Sequence, residues 1–236
     1  MKTTTLTRKL SALVLALIGG QVALASGADA QGLLGLFARP PAPAPQAAAP
    51  TAPAAPTMLQ VEHKLAALKY DVGALDGQSD DQTVSAIMAF QKTYGLQRTG
   101  GLTPAVAAQI VATPGDPAPM APGGEPNRIE ISLARQVLFL YENGTLTKIL
   151  PVSSGTSETP TPTGTFRIYR QESGWHTSSL GRLHNAQYFV GGYAIHGSNS
   201  VPAEPASHGC VRIPMSASEW FPSHVSKGMQ VVIVAG

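Results

Sequence analysis

Seven prolines fall within residues 39–57, "RPPAPAPQAAAPTAPAAPT", and no other feature constrains the fold of this 236-residue chain as strongly. Each proline fixes φ and removes an amide donor, so the run can neither continue a helix nor pair inside a sheet. Alanine spacing and a near absence of charge leave an extended, polyproline-like spacer. At about 3.1 Å per residue it reaches roughly 60 Å. A second break, "TPGDPAPMAPGGEP" at residues 113–126, has the same character. The expected order is therefore a leader (1–30), a Pro/Ala-rich linker (31–57), a helical module (58–112), a Pro/Gly-rich linker (113–126) and a β-rich module (127–236).

Residues 1–30 read as an export signal. Lys2, Arg8 and Lys9 precede the apolar run "LSALVLALIGGQVALA", and two small-x-small cleavage patterns follow, at Ala23–Ala25 and Ala28–Ala30. That run is short against the roughly 20 residues that span a bilayer, so no stable membrane span is expected after processing. With no cysteine near either cleavage pattern, a lipid anchor is not expected. The leader also accounts for the charge. The chain carries +2, and beyond residue 30 there are thirteen basic and thirteen acidic residues, a net of zero. No basic stripe points to nucleic acid. Export to the cell envelope, or secretion, is the expected address.

In residues 58–112 apolar positions recur at helical spacing: Leu59, Leu65 and Leu68, then Val84, Ile87, Met88, Phe90 and Tyr94. Asp76-Gly77 marks a turn between them. Thr103-Pro104 marks a third helix start, a capping hydroxyl followed by proline at the first helical position. A small three-helix bundle is expected. The stretches "LQVEHKLAALKY", "LDG", "AFQKTYGL" and "GGLTPAVAAQI" resemble the peptidoglycan-binding domain 1 family across the whole module. It departs from the family at "DGQSDDQT", where an aromatic-glycine pair usually follows Asp-Gly.

Residues 127–236 look different. Ile129 and Ile131, then Val137, Phe139 and Tyr141, alternate as strands do, and Asn143-Gly144 is a two-residue hairpin signal. Further strands are expected near 166–170, 193–196, 211–213 and 231–234, with a short helix over 216–220. Many short strands with Gly/Pro turns imply a mainly-β, sandwich-like fold.

The one cysteine of the chain, Cys210, closes "YAIHGSNSVPAEPASHGC". An exported protein with an unpaired cysteine suggests a reactive thiol, with a buried inert one as the bland alternative. A thiol attacks a carbonyl as thiolate, and a histidine can take its proton. The Gly209 and Cys210 amides are candidate donors to an oxyanion. Either His196, at the end of an apolar strand, or His208 can be the base. A zinc site from His196, His208 and Cys210 lacks a third imidazole or a carboxylate at recognisable spacing. A papain-like protease would place its cysteine early and its histidine far downstream. The remaining histidines, His63, His176, His184 and His224, are expected as satisfied core residues.

His-Gly followed by Ser-His-Gly-Cys, with "VSSG" and "TPTPTGTF" before it and "MSASEWFPSHVSKGMQVVIV" after it, resembles the L,D-transpeptidase catalytic (YkuD) family. The resemblance implies Cys210 as nucleophile and His196 as general base and acid. It implies a Gly197 carbonyl that orients the imidazole, and Ser207, His208 and Gly209 as motif support and oxyanion donors. Arg212 would hold a substrate carboxylate. It further implies acyl transfer between peptidoglycan stem peptides by a monomer, with no metal or cofactor. Stem trimming by water, as an L,D-carboxypeptidase, and a non-catalytic wall-binding protein are the alternatives.

Overall fold

A computed structural model describes residues 54–179 and 181–236; the expected leader and the spacer up to residue 53 lie outside the described residues. Helix α1 (Met58–Ala67) starts at a capping box, in which Thr57 Oγ1 accepts the Gln60 amide and the Gln60 side chain accepts the Thr57 amide at 2.8 Å. Helix α2 (Asp81–Thr93) is capped by Asp80, whose carboxylate accepts the Thr83 amide at 2.7 Å. Helix α3 (Pro104–Ala112) begins at Thr103-Pro104, as the sequence predicts. Val61, Leu65, Ile87, Phe90 and Ile110 close the interior of the three helices. Between α1 and α2 the buried Glu62 accepts the Gly77 amide at 2.7 Å, which anchors the Asp76-Gly77 turn.

The remainder is mainly β. Strands β1 (Arg128–Ser132), β2 (Val137–Glu142) and β3 (Thr145–Pro151) are joined by further strands β4 (Gly164–Arg167), β5 (Arg170–Gln171), β6 (Trp175–Ser178), β7 (Gly181–Val190), β8 (Tyr193–Ser198), β9 (Val211–Pro214) and β10 (Gln230–Val234). They form two sheets, β3-β2-β1-β10-β4 and β5-β7-β8-β9, with β6 also paired to β7. Asn143 and Gly144 take the positive φ values (50° and 80°) that the tight β2–β3 turn requires. Ile129, Ile131, Leu138 and Leu140 of the first sheet meet Phe189, Ile195, Val211 and Ile213 of the second. Helix α4 (Met215–His224) adds Ala217 and Phe221 to this core and runs longer than the expected 216–220.

Strand β2 is buried on both faces. Leu138 and Leu140 point into the sandwich, whereas Val137, Phe139 and Tyr141, with Leu146 and Ile149 of β3, join the core of the helical bundle. The backbone after α1 also pairs with β3: Ile149 N–H donates to Lys69 O (2.8 Å) and Asp71 N–H to Ile149 O (3.3 Å). Residues 113–126, expected as a linker, lie against β1. The fully buried Glu130 accepts the amides of Met120 (2.6 Å) and Ala121 (3.2 Å) and pairs with Arg128 at 2.7 Å. The described residues from 54 onward thus form one compact unit rather than two tethered ones. No described helix is long and apolar enough to cross a membrane.

Candidate active site

Strands β8 and β9 run parallel with Ile195 opposite Val211 and His196 opposite Arg212. Side chains alternate between the faces of a sheet, so Ile195, Val211 and Ile213 enter the sandwich core while His196 and Arg212 share the other face. Cys210, one residue before β9, falls level with Ala194 and on that same face; it packs with Ala194, Leu183 and Tyr188. Nucleophile and base candidates therefore sit on adjacent strands, one diagonal step apart. Both are nearly buried, with 4% of Cys210 and 6% of His196 exposed. No direct hydrogen bond joins them among the described residues.

The imidazole is oriented by its own backbone neighbour. A carbonyl can only accept, so the 2.9 Å contact between His196 Nδ1 and Gly197 O fixes the proton on Nδ1 and leaves Nε2 with its lone pair. A side chain at Gly197 is impossible without moving α4, because a Cβ would lie 2.3 Å from Ser218 Oγ. Burial pushes the His196 pKa below its ordinary value; the Gly197 bond opposes this and the Arg212 cation adds to it. Burial pushes the Cys210 thiol up, against a weaker pull downward from the Ala194 amide and from Arg212. Both shifts favour the uncharged pair.

The turn before Cys210 is held by hydroxyls. Ser207 Oγ accepts the Gly209 amide at 3.1 Å and donates to Cys210 O. Thr161 Oγ1 donates to Gly209 O (2.9 Å), and Thr159 Oγ1 to Ser207 O (3.1 Å). Gly209 has φ of 106°, and a Cβ there would lie 2.2 Å from the Tyr193 ring, so only glycine fits. The Gly209 amide, expected as an oxyanion donor, is thus already engaged by Ser207. His208 is exposed, unlike Cys210 and His196. Arg212 is half-buried and makes no ion pair among the described residues. Thr159, Thr161 and Tyr193 went unrecognised as site components in the sequence, since their partners are distant in the chain.

Of the other histidines only His184 is buried, with Nδ1 2.8 Å from Ser218 Oγ. His63 and His224 are exposed and His176 is half-exposed, which corrects the expectation of core positions. Nδ1 of His176 lies 3.1 Å from a Glu172 carboxylate oxygen and Nδ1 of His224 lies 3.0 Å from one of Glu142. Among the described residues no three His, Cys, Asp or Glu side chains converge as metal ligands would.

Comparison with known proteins bears on this geometry. Residues 126–233 match the family model "L,D-transpeptidase catalytic domain", and residues 55–110 match "Putative peptidoglycan binding domain". The fold superposes on an L,D-transpeptidase crystal structure from Xylanimonas cellulosilytica with a TM-score of 0.70 and 35% identity, over 76% of this chain and 93% of that one. The chain belongs to the L,D-transpeptidase family. It is also 29% identical to "Putative L,D-transpeptidase YkuD" of Bacillus subtilis, over 67% of this chain and 92% of that protein. A protein of the same description from Bacillus licheniformis is 33% identical over 37% of this chain and 53% of its own length. The mainly-β portion is thus an L,D-transpeptidase domain, and the three-helix bundle is a peptidoglycan-binding domain packed on its β2–β3 face.

Proposed function

We propose that the chain is an exported peptidoglycan L,D-transpeptidase that works through a Cys210 thioester. The observation that carries this reading is the shared sheet face of Cys210 and His196, with Nδ1 of the imidazole tied to Gly197 O and Nε2 left as the base. Because burial favours the neutral pair, the proton leaves sulfur for Nε2 as sulfur attacks. The carbonyl attacked joins the third stem residue to its terminal D-alanine. A C–S bond forms, and the oxyanion is met by backbone amides of the turn, chiefly that of Cys210. The imidazolium then gives its proton to the departing amine, the C–N bond breaks, and D-alanine leaves a thioester behind.

In the second half-reaction an amine of a neighbouring stem attacks the thioester carbon and yields a proton to Nε2. The C–S bond breaks and the sulfur recovers a proton from the imidazolium, leaving a cross-link between two third residues. Arg212, half-buried and without an acidic partner among the described residues, is suited to a stem carboxylate. Peptidoglycan lies outside the cytoplasm, which agrees with reading residues 1–30 as an export leader.

Intact-mass spectrometry with a synthetic tetrapeptide donor tests the proposal. The expected result is loss of D-alanine with a thioester adduct on Cys210, followed by transfer to an added amine. Unchanged protein mass under conditions that release D-alanine would exclude the covalent route, and adduct decay to water alone would make the enzyme a carboxypeptidase.

A further inference from the structure

The turn before Cys210 leaves a tetrahedral oxyanion short of donors. Ser207 Oγ holds the Gly209 amide at 3.1 Å, so one of the two amides expected to meet the negative oxygen is already engaged. Another donor stands in the cross-strand row of the nucleophile. Arg170 of β5 is opposite Tyr188 of β7, Tyr188 is opposite Ala194 of β8, and Cys210 falls level with Ala194. Directly paired residues share a face, so these four line up across the face that also carries His196. Tyr188 and Cys210 are two strand spacings apart, about 10 Å between backbones. Only the methyl group of Ala194 stands between them, and phenol and thiol pack in one buried cluster.

Tyr188 is 1% exposed, and its hydroxyl has no hydrogen-bond partner among the described residues, the Cys210 sulfur included. A buried O–H without an acceptor costs stability. Among the described residues it is the one such hydroxyl in the Cys210 cluster. Burial, chiefly, and the charges of Glu172 and Cys210 push its pKa up against the opposing Arg170 cation, so the phenol keeps its proton at neutral pH and is a donor. The Arg170 guanidinium lies 3.7 Å over the ring and is itself tied to Glu172 at 3.1 Å. That stacking holds the ring in place.

We propose that Tyr188 is a catalytic residue: its hydroxyl donates to the oxyanion that forms on the acyl carbon bound to Cys210. The proposal rests on the thioester reading above and adds a donor from the sheet to those of the turn. As sulfur bonds to the carbonyl carbon, the C=O π pair moves onto oxygen. The Tyr188 O–H then hydrogen-bonds that oxygen and keeps its own proton. The pair returns as the C–N bond breaks and D-alanine leaves. The same oxygen carries the charge again when an amine attacks the thioester and the C–S bond breaks. A hydroxyl unpartnered at rest gives up no earlier bond to meet this charge, so its contribution is made in the transition state.

Tyr188→Phe deletes the hydroxyl and retains the ring under Arg170. Two reactions of Cys210 are compared in the full chain: acylation by a tetrapeptide donor, which passes through an oxyanion, and alkylation by iodoacetamide, a direct displacement that forms none. Loss of one oxyanion donor should lower the maximal acylation rate about 10²–10³-fold, with donor KM within about two-fold of wild type. Alkylation should also stay within about two-fold, which a misfolded variant or one with an altered thiol would not show. Tyr169→Phe, a control that loses the hydroxyl bonded to Gly191 O in the β7–β8 turn, should acylate within about two-fold of wild type. An unchanged maximal acylation rate in Tyr188→Phe overturns the assignment. An equal fall in acylation and alkylation overturns it too, because the hydroxyl would then support the sulfur or the fold. No adduct on wild-type Cys210 overturns the thioester reading itself.

Discussion

His196 and Cys210 hold each other's chemistry in balance at the scale of single residues. The imidazole lies below its ordinary pKa and the thiol above, both because burial penalises charge. Donor acylation needs Nε2 unprotonated, so its rate should fall as pH drops through the lowered histidine value. The acid limb of kcat/KM should have its midpoint below about 6.5, the ordinary value for histidine. A midpoint above 6.5 would show that the base titrates as part of a charged thiolate–imidazolium pair. Cys210→Ala should form no adduct, and His196→Gln should slow acylation about 10²–10⁴-fold, the usual contribution of a positioned base. His224→Ala should remain within about two-fold, since that ring lies on the surface beside Glu142. The motif singled out Cys210 and His196 in the sequence, and the fold brings them to one sheet face. The hydroxyls that hold the turn were not, because Thr159 and Thr161 reach Ser207 and Gly209 across 48 residues, a separation that no local spacing encodes.

Among the elements, helices and most strands followed from capping and alternation, but the strand expected over 166–170 divides into β4 and β5, and neither β6 nor β7 was expected. β7 shows why. Asn185 has a φ of 51° within it, and the register shifts between His184 and Gln187 in its pairing with β8, so the two-residue period is broken. Helix α2 also does more than its periodicity implies. Lys92 near its end is fully buried, and its Nζ donates to Val152 O (2.8 Å) and Pro202 O (3.2 Å). Pro202 belongs to the loop between His196 and Cys210. Arg98 reaches the same loop, donating to Ala203 O and pairing with Glu204 at 3.2 Å. The peptidoglycan-binding domain thus holds the loop between His196 and Cys210 in place. Burial, chiefly, and the nearby Arg98 bring the Lys92 pKa down to about 7, opposed by Glu204. An unfolded lysine titrates near 10.4, so between about pH 7 and 10 the unfolded chain binds the extra proton, and folding stability rises with pH. Lys92→Met abolishes this linkage. The stability of wild type relative to the variant, from denaturant titrations, should rise by up to about 1.4 kcal/mol per pH unit within that window. Parallel pH curves would mean that the lysine stays charged in its buried site.

Over the whole molecule, the proline-rich breaks predict separable modules, yet the second break is pinned to β1 and the two domains share a core. The reason lies in β2, whose odd and even residues are both apolar; alternation seen from one face cannot reveal that the other is also covered. Phe139, fully buried, points from β2 into the helical bundle. Its removal should therefore be felt by both domains together. Phe139→Ala is expected to cost about 3–5 kcal/mol, the usual range for a large buried aromatic ring. Both tryptophans, Trp175 and Trp220, lie in the catalytic domain, while three of the four described helices lie in the bundle. Trp175 thus reports on the catalytic domain, Trp220 on its contact with Asp71 after α1 (Nε1 to Oδ2, 3.2 Å), and helical ellipticity chiefly on the bundle. In a two-state unit the two signals melt together. They should coincide in wild type and shift downward together in Phe139→Ala. An early loss of ellipticity that leaves the main fluorescence transition in place would show a bundle that unfolds alone.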